Sequence, residues 1–518
     1  MSTIVQPAPI NLVRPTLPKA EPCLVVIFGG TGDLTRRKLM PALYDLACLG
    51  CTHGDFEVLG IGRTKLNDGE FRTRLREGAA ASKDTRNFSD DEWERFALRL
   101  HYLIGDANQP EFYPRLKTRI AELQKSGASQ NVLFYVSTSA SLAPPIVEGL
   151  GAASLAHNDH GWTRIILEKP FGHDLKSARE LNEIVSHVFD ESSVYRIDHY
   201  LGKETVQNIL MFRFGNSTFE PVWNRNYIEY VEITAAEKLG VEGRGPFYEE
   251  TGALRDMVAN HMLQLLMLTA MEPPVAFEAG AVRDHKVEVL RAIAPMSKEE
   301  VARRTVRGQY GPGRIDGKAV PGYRQEPGVN PNSLTETYAA VEFRVDNWRW
   351  AGVPFYVRAG KRLASQLTEI AVHFKRTPQA LFSRNPADVH HNVISMRIQP
   401  NEGISLSFGV KQPGQQMRAT RVDMDFAYRD VFGSETPAAY ETLLLDAMRG
   451  DATLFTRRDE VEAEWRIITP ILEAWAELPP PQFPNYAAGS EGPEESRRLI
   501  THDKCRWRPL SSGDGGQS

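Results

Sequence analysis

The hydrophobic positions change their period near residue 213. Before it, short, largely apolar runs occur at residues 24–28, 56–61, 101–104, 132–136 and 164–167, and a sixth run ends at Tyr195. Each has the length and composition of a strand buried on both faces. Between them apolar residues recur three and four apart. Leu39, Leu43 and Leu46 follow the first run, and Trp93, Phe96 and Leu100 share one face of the charged segment 66–99. Strand and helix in alternation predict a Rossmann-like, doubly wound α/β domain around a parallel sheet.

Past residue 213 the apolar residues alternate with polar ones. This holds for 229–234, 338–345, 354–358, 368–374, 393–398 and 404–410. Period two means strands with one wet face, hence a mainly antiparallel sheet. Asn401-Glu402-Gly403 reads as a hairpin turn between two of them. Helical spacing over 247–271, 287–294 and 438–449 interleaves with the strands, so the second domain is a larger α+β unit. The division expected is a Pro-rich disordered leader at 1–21, a dinucleotide-binding domain at 22–200, the α+β substrate-binding and oligomerisation domain at 201–490, and a loose polar tail at 491–518. The Gly/Pro-rich segment 309–331 reads as a loop.

Composition narrows the partners. Charged residues make up 25% of the 518 positions and the net charge is −5, with no basic-aromatic stripe, so no nucleic-acid partner is expected. The most apolar run, 262–271, is too short to span a bilayer, so no membrane partner is expected. The N-terminal segment lacks the apolar core of a signal peptide. The 4 cysteines rule against a disulfide scaffold, and Cys48 and Cys51 have no second pair, so no metal is expected. A cytoplasmic protein follows.

The candidate chemistry gathers at strand ends. The first strand runs into Gly29-Gly30-Thr31-Gly32-Asp33-Leu34-Thr35 and then a helix, the context of a dinucleotide-binding turn; a tight turn that binds nothing has the same pattern. The second strand ends in Gly62-Arg63-Thr64-Lys65, and no Asp or Glu occurs from Gly60 to Leu66. An acidic residue there would take a ribose 2′-hydroxyl, whereas Arg63 suits a 2′-phosphate, so NADP is expected over NAD. The sixth run leads into Arg196-Ile197-Asp198-His199-Tyr200-Leu201-Gly202-Lys203-Glu204 and another helix. His199, Tyr200 and Lys203 near a helix start make a phosphate cradle. Asp198 opposes a phosphate and suits a neighbouring cation, or simply caps the helix. Within 247–271, His261 interrupts a stripe of Leu254, Val258, Leu265 and Leu268. On the helix alone a satisfied core histidine is the plain reading.

The nonapeptide 196–204 resembles the substrate-phosphate signature of the glucose-6-phosphate dehydrogenase family. Gly29, Gly32, Asp33 and Leu34 match that family's modified glycine motif, and the resemblance covers residues 25–507. It implies oxidation of D-glucose 6-phosphate at C1 to 6-phospho-D-glucono-1,5-lactone with NADP, the first step of the oxidative pentose phosphate pathway, by a homodimer or homotetramer. It implies His261 as general base and Asp198 as the carboxylate that stabilises it. Lys169 would hold sugar and cofactor. Glu237 and Asp256 would accept hydrogen bonds from sugar hydroxyls, and His199, Tyr200, Lys203 and Lys361 would hold the phosphate. Two departures stand out: Gln366 replaces a second phosphate-site cation, and Ser137-Thr138-Ser139-Ala140 replaces a proline-rich turn. The competing reading is a non-catalytic NADP-binding assembly or regulatory homologue. The joint presence of Lys169, Asp198, Lys203 and His261 favours the enzyme, because a protein free of catalytic duty could lose any of them.

Overall fold

The computed structural model describes residues 18–378, 381, 391–433, 437–501 and 505–510. The chain forms two compact units. One takes the described residues of Met1–Glu204, Ala276–Arg283 and Glu435–Glu462; the other takes Thr205–Val275, Asp284–Ser434 and Ala463–Ser518. The expected division into consecutive blocks is therefore corrected, because two later segments return to the first unit.

The first unit is built on six strands: β1 (Leu24–Phe28), β2 (Glu57–Gly62), β3 (Leu100–Ile104), β4 (Val132–Val136), β5 (Thr163–Glu168) and β6 (Val194–Ile197). They are all parallel, in the order β3-β2-β1-β4-β5-β6. Val26, Phe28, Phe134 and Ile165 form a core with Leu116, Ile146 and Val185 of the covering helices. The order reverses beside β1, which opens a crevice at the carboxyl ends of the strands. Segment 66–99 holds two helices, Asp68–Ala81 and Asp90–Ala97, instead of one. The first starts at a reciprocal cap in which Asn67 and Glu70 each accept the other's backbone N–H at 2.9 Å. From the returning segment, helix Ala439–Arg449 packs on helix Met40–Cys48. The expected leader falls mostly on residues 1–17, outside the described residues. Its end is docked: the Ala20 N–H donates to Cys51 at 2.7 Å, and Glu21 pairs with Arg164 at 3.1 Å.

The second unit holds an eight-stranded sheet. Its members begin with β7 (Ile228–Ala236) and β8 (Thr305–Gly308). Three short strands follow, β9 (Tyr310–Gly311), β10 (Gly313–Ile315) and β11 (Lys318–Val320), so the loop expected at 309–331 is partly ordered into strands. The sheet is completed by β12 (Tyr338–Arg344), β13 (Pro354–Gly360), β14 (Leu367–Phe374), β15 (Val393–Gln399), β16 (Gly403–Lys411) and β17 (Ala419–Ala427), in the order β17-β16-β15-β14-β7-β13-β12-β8. Its neighbours run antiparallel apart from β7 and β13, which are parallel.

Three expectations for this unit are corrected. The helix expected at 287–294 spans Ala279–Arg291. The single helix expected at 247–271 is broken. Gly252 adopts φ +64°, and a Cβ there would lie 2.3 Å from the Glu336 carboxylate. That carboxylate accepts the Leu254 N–H at 3.0 Å and so starts a second segment, which winds as a π-helix over Leu254–Met262 before the α-helix Leu263–Ala270. The tail expected to be loose is packed where it is described. It contains helix Glu494–Thr501, and Leu499, Ile500, Cys505 and Leu510 are buried in a core with Tyr310, Tyr338 and Tyr356. Its polar composition hid an amphipathic helix whose few apolar residues all turn inward.

Candidate active site

The first unit presents a glycine turn at the end of β1. Gly29 adopts φ +84°, and a Cβ on it would lie 2.1 Å from the Ser137 carbonyl oxygen. A Cβ on Gly30 would lie 2.8 Å from Gly60 Cα. Gly29 and Gly30 must therefore lack side chains, which lets a phosphate approach the backbone there. Gly32 N–H donates to Gly29 O at 2.8 Å, and the Thr35 hydroxyl donates to the same carbonyl at 2.9 Å. Thr35, the odd residue of the motif, locks the loop, and the unusual Ser137 packs against it. Asp33 is exposed and pairs with Arg37 at 2.8 Å and Arg36 at 3.3 Å. Those two arginines, which the sequence reading passed over, offset a carboxylate that would otherwise repel a pyrophosphate. Thr31 stands beside the Tyr102 hydroxyl, while Leu34 is half-buried at the start of the helix. Arg63 is exposed just past β2, and the Thr64 carbonyl accepts from Tyr102 at 2.9 Å, which fixes this strand end.

The ends of β5 and β6 carry the second group in this unit. Asp198 is buried and accepts the Tyr200 N–H at 3.0 Å, while Leu201 N–H donates to Asp198 O at 3.0 Å and Lys203 N–H to Tyr200 O at 3.1 Å. These bonds form consecutive tight turns, and the helix proper is Glu204–Phe214. Asp198 therefore caps a turn instead of the helix. The buried Tyr200 ring lies 5.2 Å edge-on from His199, and Lys203 Nζ stands 5.3 Å from its centre. On its other side His199 lies parallel to Tyr440 at 6.4 Å. Tyr440 and Tyr135 donate to Glu168 at 3.2 and 2.6 Å. Burial pushes the Glu168 carboxyl up from its ordinary value, and the two phenols hold it in place next to Lys169. Tyr440 had no signal in the sequence, because it arrives from the returning segment.

In the second unit the parallel pairing of β7 and β13 aligns Ala236 with Gly360. The next residue of each strand is a site candidate, Glu237 and Lys361. Glu237 N–H donates to Gly360 O at 2.9 Å, and the Lys361 ammonium donates to the Glu237 carboxylate. Only parallel pairing brings both carboxyl ends to the same edge. Lys361 Nζ also lies 5.1 Å from the Tyr248 ring centre. Tyr248 is a residue the sequence reading missed. Its hydroxyl is buried and has no hydrogen-bond partner among the described residues. Burial, and then the charges of Asp256, Glu336 and Glu237, drive its pKa well up, so it stays protonated.

Asp256 and His261 both lie on the π-helical stretch. A π-helix bonds residue i to i+5, so residues five apart stand one turn apart on one face. In an α-helix the same spacing would spread them. His261 is buried, as are Leu254, Val258 and Leu265, and its backbone N–H donates to Asn260 Oδ1 at 2.6 Å. Gln366, the departure from the phosphate pattern, accepts the Lys238 N–H at 3.3 Å. Arg362 is engaged by Glu242 and Glu326 at 3.3 Å each, so Lys361 and Arg362 both already face carboxylates at this strand edge.

Comparison with known proteins agrees in both halves. Residues 26–208 match the family model described as the glucose-6-phosphate dehydrogenase NAD binding domain, and residues 210–508 match that of its C-terminal domain. The chain is 48% identical to a glucose-6-phosphate 1-dehydrogenase of Aggregatibacter actinomycetemcomitans over 95% of this chain and 98% of that one. It is 44% identical to that of Chlamydia pneumoniae over 98% of this chain and 100% of the other. Among solved structures, a glucose-6-phosphate dehydrogenase in complex with its substrate glucose-6-phosphate superposes with TM-score 0.85 at 34% identity, covering 95% of this chain and 99% of that chain. Glucose-6-phosphate 1-dehydrogenase from Mycobacterium avium superposes with TM-score 0.80 at 36% identity, covering 96% and 100%.

Proposed function

The chain belongs to the glucose-6-phosphate dehydrogenase family, and on that premise we propose how its residues divide the work. The reaction is oxidation of D-glucose 6-phosphate at C1, and the cofactor is NADP. The observation that carries the reading is the near full-length match to a relative solved with its substrate bound.

The glycine turn fits the cofactor, because Gly29 and Gly30 sit where any Cβ would collide with backbone. Gly29 through Leu34 would hold the pyrophosphate and Arg63 the 2′-phosphate. When bound there, NADP supplies the hydride acceptor. His261 takes the proton of the C1 hydroxyl, since an alcohol carbon becomes a good hydride donor only as its oxygen gains negative charge. Asp198 is assigned to stabilise the imidazolium that results. Lys169 orients sugar and cofactor. Glu237 and Asp256 accept hydrogen bonds from the hexose hydroxyls, which are numerous donors. His199, Tyr200, Lys203 and Lys361 hold the phosphate, and the product is 6-phospho-D-glucono-1,5-lactone.

The wider setting follows from the same reading. The protein acts in the cytoplasm, consistent with four free cysteines. Among the described residues no helix is long and apolar enough to cross a membrane. It assembles as a homodimer or homotetramer through the second unit, whose outer strand β17 leaves Met424 exposed. Light scattering gives the assembly directly, since one chain weighs 58.1 kDa. The activity is tested by following the absorbance of reduced cofactor with NADP and NAD against a panel of sugar phosphates. Glucose 6-phosphate with NADP should give the highest kcat/KM. Higher kcat/KM on another sugar phosphate would overturn the substrate.

A further inference from the structure

A cavity of about 820 Å³ opens in the second unit, a size typical of small-molecule sites. Its walls are helix Lys298–Arg304, strand β8, the segment from Trp475 to Asn485 and helix Glu494–Thr501. The lining is strongly cationic: Arg303, Arg304, Arg307, Arg344 and Arg498 face it, against Glu342 and Glu495. Glu342 is already engaged, because Arg344 donates to it at 2.6 Å and Arg304 lies 3.6 Å away. Arg307 donates to the carbonyl oxygens of Trp475 and Leu478 at 2.8 and 3.1 Å. Neutral carbonyls fix its position without cancelling its charge. Arg303 and Arg498 are exposed and have no carboxylate partner among the described residues.

The opposite character lies alongside. The Arg307 guanidinium stands 5.6 Å from the centre of the Trp475 ring. Val306, Pro479 and Pro481 continue the apolar wall. Guanidinium groups bind phosphate oxygens two at a time, and a cavity with an excess of them concentrates multiply charged anions. A flat apolar wall beside them suits an aromatic ring. An inorganic anion would leave that wall wet, and a neutral aromatic would leave the arginines unmatched.

We propose that this cavity is a second ligand site, apart from the dehydrogenase chemistry, for a nucleoside polyphosphate. The phosphates pair with Arg303 and Arg498 at the mouth, and the base lies against the wall formed by Val306 and Trp475. ATP is the probe, titrated by calorimetry at fixed low ionic strength into the full-length protein and into an Arg303→Glu/Arg498→Glu variant. Both side chains are exposed, and unchanged glucose 6-phosphate oxidation reports that the variant is folded. ATP bound elsewhere, at the glycine turn included, is common to both proteins and subtracts out. Wild type should bind one further equivalent of ATP, at least tenfold tighter than any remaining at the cavity of the variant. Adenosine and tripolyphosphate should each bind the cavity at least tenfold more weakly than ATP. Identical titrations of the two proteins would overturn the site, and tripolyphosphate matching ATP would overturn the role of the apolar wall.

Discussion

His261 shows how one position changes meaning with its surroundings. On an α-helical stripe it reads as core; on the π-helical turn it shares a face with Asp256. His261→Asn should preserve the fold and substrate binding while lowering kcat by roughly 10²–10⁴-fold, the usual contribution of a general base. Steady-state kinetics on the folded variant decide it, and near-wild-type turnover would remove His261 from the reaction. Tyr248 gives a second test. Its buried hydroxyl lacks a partner among the described residues, so Tyr248→Phe should leave thermal stability equal or higher, by up to about 1 kcal/mol. If the hydroxyl serves the sugar beside Glu237 and Lys361, the same variant should raise KM for glucose 6-phosphate several-fold. An unchanged KM would make it structural. Asp446, outside the site, is pushed up to about 7, first by burial and then by Asp451, while Arg449 opposes the shift. The folded state therefore holds a proton that the unfolded chain releases near 3.8. Its stabilising effect is complete below that value and is lost as pH rises through about 7. Asp446→Asn should abolish this loss, worth up to roughly 4 kcal/mol for a shift of this size. Urea melts at pH 5 and pH 8 compare the two proteins.

Two elements do most to position the candidate residues. The parallel β7–β13 pair puts Glu237 and Lys361 at one edge of an otherwise antiparallel sheet. The break at Gly252 and the π-helical winding after it set the direction of Asp256 and His261. Gly252 has a structural reason to be glycine, since it combines a positive φ with a carboxylate at its back. Strand β2 supports a separate prediction, argued from the sign of charge alone. It ends at Arg63, and no acidic residue lies from Gly60 to Leu66. Arg63→Ala should weaken NADP by about 1.5–3 kcal/mol, the range for a hydrogen bond to a charged group, and NAD far less. Titration of both cofactors into both proteins reads the difference. Equal weakening would assign the 2′-phosphate to other residues.

At the scale of the molecule, each unit is completed by chain distant in sequence. Segment 435–462 brings Tyr440 to Glu168 and Glu441 to Arg86, the latter at 2.7 Å. The C-terminal segment does the same for the second unit. The Arg508 backbone N–H donates to the Glu232 carboxylate at 2.9 Å, and its guanidinium donates to Glu369 at 2.9 Å. Leu499, Ile500 and Leu510 are buried. At roughly 1.5–3 kcal/mol for each fully buried side chain, their loss approaches the whole stability of a typical domain, about 5–15 kcal/mol. Deleting residues 491–518 should therefore yield insoluble or molten protein, seen as loss of near-ultraviolet circular dichroism. A cooperative melt at the wild-type temperature would mean that the segment is dispensable.

What the sequence determined by itself was local. Largely apolar runs become parallel strands and alternating runs become strands of the larger sheet, because burial on one or two faces writes directly into composition. The glycine turn and the sign of charge at Arg63 were equally legible, since each depends on a few adjacent residues. The tertiary structure alone decided what depends on partners far along the chain. Glu336 breaks the helix at Gly252, and the parallel pairing joins Glu237 to Lys361. Arg362 is drawn to Glu242 and Glu326, and Tyr440 and the packed tail return to cores begun hundreds of residues earlier. Local periodicity carries none of these, because each contact is chosen by the global arrangement of strands and not by the residues next to it.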